Sequence, residues 1–147
     1  MDIQNKNEAA ENAAVPNLQD APSLDIAMEA VRILDSKKAG DIRLLHVEEK
    51  TVLTEYFVLC TGNSSTQVKS LADELEYQME RRNFPPVQGE GFDGATWIVT
   101  DFGPVIVHIF NRETRMFYNL EKLWSDSKEV DLSSVIDVAP QDESFTV

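Results

Sequence analysis

At 147 residues with 42 % hydrophobic content, the chain suits one domain that buries a core without disulfide or metal staples. Its formal net charge of −13, from 26 acidic and 13 basic side chains, disfavours capture of a phosphate backbone by net charge and favours a basic protein partner. A single cysteine, Cys60, excludes an intramolecular disulfide, and neither a signal segment nor a bilayer-length apolar run is visible, so the expectation is a soluble cytosolic protein with no membrane partner.

The charge is uneven: residues 1–24 carry −3, residues 126–147 carry −5, and the longer middle carries only −5. Residues 1–22 are polar, alanine-rich and broken by Pro16 and Pro22, which reads as a disordered arm. The domain is expected over 23–125 and an acidic tail over 126–147, although Val135, Ile136 and Val138 give that tail some apolar content.

Ser23 is placed to cap a first helix in which Ile26, Ala27, Ala30, Val31 and Leu34 recur at helical spacing, with Lys37, Lys38 and Gly40 marking its end. Ile42 to Val47 and Tyr56 to Thr61 read as neighbouring strands of one sheet joined by a short turn. Gly62 to Thr66 interrupt the pattern. Val68, Leu71, Leu75 and Met79 then predict the longest helix over Gln67 to Arg82, stopped by Pro85 and Pro86.

Trp97 to Phe102 and Val105 to Phe110 are the next strands, and Gly103 with Pro104 between them favours an antiparallel hairpin. The first of these strands carries large apolar groups toward both faces, so both faces are buried in the domain or one is completed by a partner. Asn111 is placed to cap a last helix running to Trp124, with Met116, Phe117, Leu120, Leu123 and Trp124 as its apolar stripe. The order α, β, β, α, β, β, α predicts a single α/β domain with a mixed sheet covered by helices.

Catalytic readings find little support. The Gly62-Asn63-Ser64 turn ahead of a helix suits a phosphate, but a nucleotidyltransferase also needs a strand-borne acidic pair for magnesium, and the relevant strand offers Asp101 alone. A triad of Ser64, His108 and Asp101 lacks the second glycine of a nucleophile elbow, and two histidines with one cysteine show no zinc-ligand spacing. Cys60 and His46 read as structural. His108, on the same side of its strand as Ile106 and Phe110, reads as a hydrogen-bonded strand histidine with interface use open. For Trp97 and Phe102, core packing and partner contact are equally compatible with the pattern.

The run LTEYFVLCTGNSSTQVKSLADELE, followed by GATWIVTDFGPVIVHIFNRETRMFYNLEKLW, resembles the Iojap family, the bacterial ribosomal silencing factors, over residues 25–125. The resemblance is carried by Tyr56-Phe57-Val58, Thr61-Gly62, Gln67-Val68-Lys69, Ala72-Asp73, Asp101 and Gly103. It continues through Val107-His108-Ile109-Phe110, Arg115, Phe117-Tyr118-Asn119-Leu120-Glu121 and Leu123-Trp124. It implies a nucleotidyltransferase-like α/β fold without catalytic carboxylates, hence no enzyme, no cofactor and no metal. It also implies binding to the large ribosomal subunit through the interface protein numbered fourteen in that subunit's series, blocking small-subunit joining and lowering translation when nutrients fall.

Steric exclusion of this kind asks only for tight docking. Trp97, Val99, Asp101, Phe102 and His108 are the expected contact residues, with Tyr56 and Glu55 as neighbours. Apolar groups would supply affinity while Asp101 and Glu55 meet basic side chains, Glu55 standing where the family often has aspartate. Arg115, Tyr118 and Trp124 read as helix packing that holds the sheet, with Tyr118 at a rim. The alternatives are an assembly factor for the large subunit, or a magnesium-dependent nucleotide-binding protein using the Gly62 to Thr66 turn. A free homodimer through an exposed sheet edge is also compatible with the sequence.

Overall fold

In the computed structural model, which describes residues 15–136, period-two alternation and three-four spacing resolve into one mixed sheet between a large and a small helical layer. The elements are α1 (Ser23–Ser36), β1 (Gly40–His46), β2 (Tyr56–Gly62), α2 (Ser65–Arg81), β3 (Gln88–Phe92), β4 (Trp97–Asp101), β5 (Val105–Asn111), α3 (Arg112–Tyr118), α4 (Leu120–Leu123) and β6 (Lys128–Glu129). Strand order is β3-β4-β5-β2-β1-β6. Among the described residues only β2 and β5 pair in parallel; every other adjacent pair is antiparallel.

The expected hairpin of β4 and β5 is present, with Trp97 opposite Phe110 and Val99 opposite His108. The β2 run YFVLC is apolar throughout because this central strand is buried on both faces. On one face Val58, Cys60, Val107, Ile109 and Leu44 meet Ile26, Ala30, Val31 and Leu34 of α1 and Val68, Leu71, Leu75 and Met79 of α2. On the other, Leu45, Val47, Phe57, Leu59 and Phe110 form a smaller core, with Trp97, Ile106, Leu120 and Trp124 packed against it. Each fully buried leucine or isoleucine contributes about 2 kcal/mol, so the two-helix layer dominates stability.

Several local expectations change. Ser23 is the first residue of α1 rather than its cap, and its hydroxyl donates to Glu55 Oε2 at 2.9 Å. The connection from β1 to β2 is a loop from Val47 to Glu55, closed by Val47 N–H donating to the Glu55 carbonyl at 2.9 Å, not a short turn. The last helix breaks at Asn119, whose left-handed backbone (φ 49°) ends α3 while its side chain caps α4. Strand β3 was absent from the expected order because Gln88-Gly89-Glu90-Gly91 has no apolar alternation; its ladder with β4 is made by backbone.

The packed body also reaches past both expected boundaries of 23 and 125. Leu18 and Leu132 are buried in the main core, Val135 and Ile136 pack against it, and β6 pairs with β1. The remainder of the arm, residues 1–14, and of the tail, residues 137–147, lies outside the described residues. Among the described residues no helix is long and apolar enough to cross a membrane.

Candidate docking surface

The antiparallel register of β4 and β5 sets the geometry of the site. Because side chains alternate along a strand, Trp97, Val99 and Asp101 share one face with their partners Phe110, His108 and Ile106, the face turned away from α1 and α2. Four expected contact residues, Trp97, Val99, Asp101 and His108, are thus brought together. Phe102 has the opposite parity and is buried under the helices. Tyr56 also belongs to the helical side, paired with Val105 and stacked on His46 at 4.6 Å between ring centres. Glu55 accepts from Ser23 at the start of α1, where the helix dipole favours a carboxylate. The structure does not bring these last three into the patch.

Within the patch, the Trp97 indole Nε1–H donates to His108 Nδ1 at 3.2 Å. That bond places the imidazole proton on Nε2 in the neutral ring. Nε2 is buried and has no hydrogen-bond partner among the described residues. Phe57 meets the ring edge-on at 5.0 Å and Phe110 stacks at 6.0 Å. Trp97 itself stacks on Phe110 at 5.1 Å and lies against Tyr118 at 4.9 Å.

Burial pushes the His108 pKa down to about 4. Since the unfolded ring takes its proton near pH 6.5, His108 leaves stability intact above that pH and erodes it as pH falls toward 4. Between pH 7 and pH 5 this amounts to roughly 2 kcal/mol. Urea unfolding of the wild type and of His108→Leu at both pH values should show a smaller pH-dependent loss in the variant; equal losses would contradict the assignment.

Asp101 closes the hairpin turn, accepting with Oδ1 from Gly103 N–H at 2.8 Å, and Gly103 adopts φ +96°, a backbone region that suits glycine. Asp101 remains partly exposed at the end of β4, at the margin of the patch.

Among the described residues the face is covered at one side. Leu120 and Trp124 pack on it, Trp124 meeting Phe57 edge-on at 5.2 Å. Arg115 anchors this cover: its Nε donates to Glu121 Oε2 at 2.9 Å, and Nη1 donates to the Asp41 carbonyl at 2.8 Å and Thr61 Oγ1 at 2.9 Å. With Arg115 occupying the inward position of α3, only Leu120 and Trp124 of the expected apolar stripe pack, and Met116, Phe117 and Leu123 do not. Phe117 (79 % exposed) meets Tyr118 (52 %) edge-on at 5.0 Å beside Trp97, and Met116 (72 %) and Leu123 (72 %) are exposed as well. The signal for this lay in the sequence: three consecutive large side chains, 116 to 118, cannot share one helical face.

Among the described residues no hydrogen bond joins Ser64, His108 and Asp101 to one another. Ser64 Oγ accepts from Gln67 N–H as the α2 cap, while His108 Nδ1 accepts from Trp97 and Asp101 accepts from Gly103. In the Gly62 to Thr66 turn, Asn63 N–H donates to Gln67 Oε1, so the Gln67 side chain occupies an amide that a phosphate would use. Gly62 is required by packing: a Cβ there would lie 2.9 Å from Val68 Cγ2. Among the described residues no group of three or more histidine, cysteine or acidic side chains is placed to hold a metal ion.

A family profile described as "Ribosomal silencing factor during starvation" matches residues 19–146. The chain is 41 % identical over 103 residues to the "Ribosomal silencing factor RsfS" of Bacillus subtilis, covering 70 % of this chain and 87 % of that one. It is 33 % identical over 98 residues to mouse "Mitochondrial assembly of ribosomal large subunit protein 1", covering 65 % of this chain and 43 % of the mouse protein. A crystal structure of a Chromobacterium violaceum protein superposes with a TM-score of 0.68 at 30 % identity, covering 71 % of this chain and 87 % of that chain.

Proposed function

The chain belongs to the ribosomal silencing factor family, and from that premise we propose that it docks on the large ribosomal subunit and keeps the small subunit from joining. The observation that carries this reading is the half-covered aromatic face: Trp97, Val99, Asp101 and His108 beside exposed Phe117 and Tyr118. Contiguous exposed apolar groups on a chain of net charge −13 suit a partner that combines a hydrophobic patch with basic side chains. The partner is the interface protein numbered fourteen of the large subunit. The aromatic residues supply affinity and Asp101 supplies a charge contact.

Exclusion of the small subunit then needs no chemistry, and the protein acts in the cytoplasm as a repressor of translation rather than as an enzyme. Purified subunits mixed with the chain should yield fewer joined ribosomes in a sedimentation profile. Unchanged joining with the large subunits saturated by the chain would refute the proposal. The name of the mouse relative supports a second use of the same surface, on immature large subunits. Accumulated large-subunit precursors in a deletion strain under rich growth would favour that use over silencing.

A further inference from the structure

A second feature of the fold has no part in docking. Strands β2 and β5 lie side by side in parallel, yet α2, which follows β2, packs on one face while α3, which follows β5, packs on the other. Where the connections of neighbouring parallel strands diverge in this way, a crevice is left beyond their carboxyl ends, and in open α/β sheets that crevice receives ligands. Here it has a volume of about 580 Å³, lined among others by Arg43, Arg112, Arg115, Asp41, Asn63 and Met116. That volume accommodates a mononucleotide.

The lining specifies chemistry. Three guanidinium groups meet two carboxylates of the lining, Asp41 and Glu121, and Arg43 also meets Glu129 at 3.5 Å, so the crevice is close to neutral on a chain of net charge −13 and Arg112 is the cation left without an ion pair among the described residues. Arg115 is committed to Glu121, the Asp41 carbonyl and Thr61, and so is a fixed charge. Arg43 holds only partly or largely exposed carboxylates, Asp41 at 3.4 Å and Glu129 at 3.5 Å. Arg112 is exposed and has no ion pair among the described residues. Guanidinium forks match phosphate oxygens, Asp41 accepts from hydroxyl groups, and Met116 offers an apolar surface to a ring. A long polyanion would be repelled by the acidic chain around the crevice, whereas a small anion sits inside it.

We propose that this crevice binds a nucleoside phosphate without a metal ion, its phosphates on Arg112 and Arg43 and its base against Met116. The site goes beyond ribosome docking and is read on the free protein. Isotope-labelled full chain, titrated with ADP or GDP in the absence of magnesium, should show saturable amide shifts at Thr61, Asn63 and Arg112, with a dissociation constant at or below about 1 mM. Adenosine alone and pyrophosphate alone should each bind about tenfold more weakly. Arg112→Ser, on an exposed side chain, should weaken ADP about tenfold, while Lys69→Ser on the outward face of α2 should bind like the wild type. The proposal is overturned by the absence of saturable shifts with either nucleotide, by pyrophosphate binding as tightly as ADP, or by wild-type ADP binding in Arg112→Ser whose spectrum shows the native fold.

Discussion

Trp97→Ala combined with Asp101→Arg is expected to abolish co-sedimentation with large ribosomal subunits while the chain stays folded. Trp97 stands at the centre of the aromatic face, touching Phe110, Tyr118 and His108, and central tryptophans of protein interfaces typically cost about 2–4 kcal/mol when truncated. Reversing the charge at Asp101 adds repulsion against a basic partner at the margin of the same face. The two effects together exceed a hundredfold in affinity on the order-of-magnitude scale of about 1.4 kcal/mol per decade.

The fold has its own cost to meet. Truncating Trp97 leaves His108 Nδ1 without its donor, about 1–3 kcal/mol for a buried acceptor, and Asp101→Arg removes the turn bond to Gly103. Phe117→Ala therefore serves as the companion variant: its side chain is almost fully exposed, so a loss of subunit binding there comes without a loss of stability. Circular dichroism and urea unfolding establish the folded state of each variant. A folded double mutant that binds large subunits with wild-type affinity would remove this face from the proposed interface.

Arg115→Met is expected to lower stability by about 3 kcal/mol, the low end of the range for breaking a buried charge pair. The substitution preserves most of the volume but deletes the donors to Glu121, to the Asp41 carbonyl and to Thr61 Oγ1, three groups drawn from β1, β2 and α4. Glu121 is 27 % exposed at its side chain and regains some hydration, which keeps the cost from being larger. Because Arg115 ties α3 to the sheet, the variant should also bind large subunits less well, although Phe117 and Tyr118 are still present. An unfolding free energy from urea titration within about 1 kcal/mol of the wild type would show, on the roughly 3 kcal/mol scale expected here, that the anchor is dispensable.

Much of this architecture was legible as periodicity. The three-four spacing of Ile26, Ala27, Ala30, Val31 and Leu34, and of Val68, Leu71, Leu75 and Met79, placed both large helices, and these residues are buried where the spacing put them. The β4 and β5 hairpin followed from two apolar runs flanking Gly103-Pro104. Strands β3 and β6 were not legible, because neither presents an apolar face and each is held by backbone bonds to a neighbour. The break at Asn119 was hidden for a related reason: asparagine reads equally well as a cap and as a residue within a polar helix, and only the left-handed backbone there separates the two.

The expected contact residues divide along the same line. Their chemistry and their strand parity were present in the sequence, and parity alone separates Trp97, Val99 and Asp101 from Phe102. Glu55 and Tyr56 were grouped with them by nearness in type and in chain, but β2 lies beyond β5, and Tyr56 is on the side facing the helices.

By itself, then, the sequence determined the α/β class, the principal helices and strands, and the family, because apolar period and a long motif are properties of neighbouring residues along the chain. Only the tertiary structure decided which face stays open. Whether Phe117 packs or projects depends on Arg115 finding Glu121, Asp41 and Thr61, partners 6, 74 and 54 positions away. Likewise, the crevice beyond β2 and β5 exists because two parallel strands send their helices to opposite faces. Such long-range pairings leave no period in the chain, and they set the two surfaces on which function is proposed.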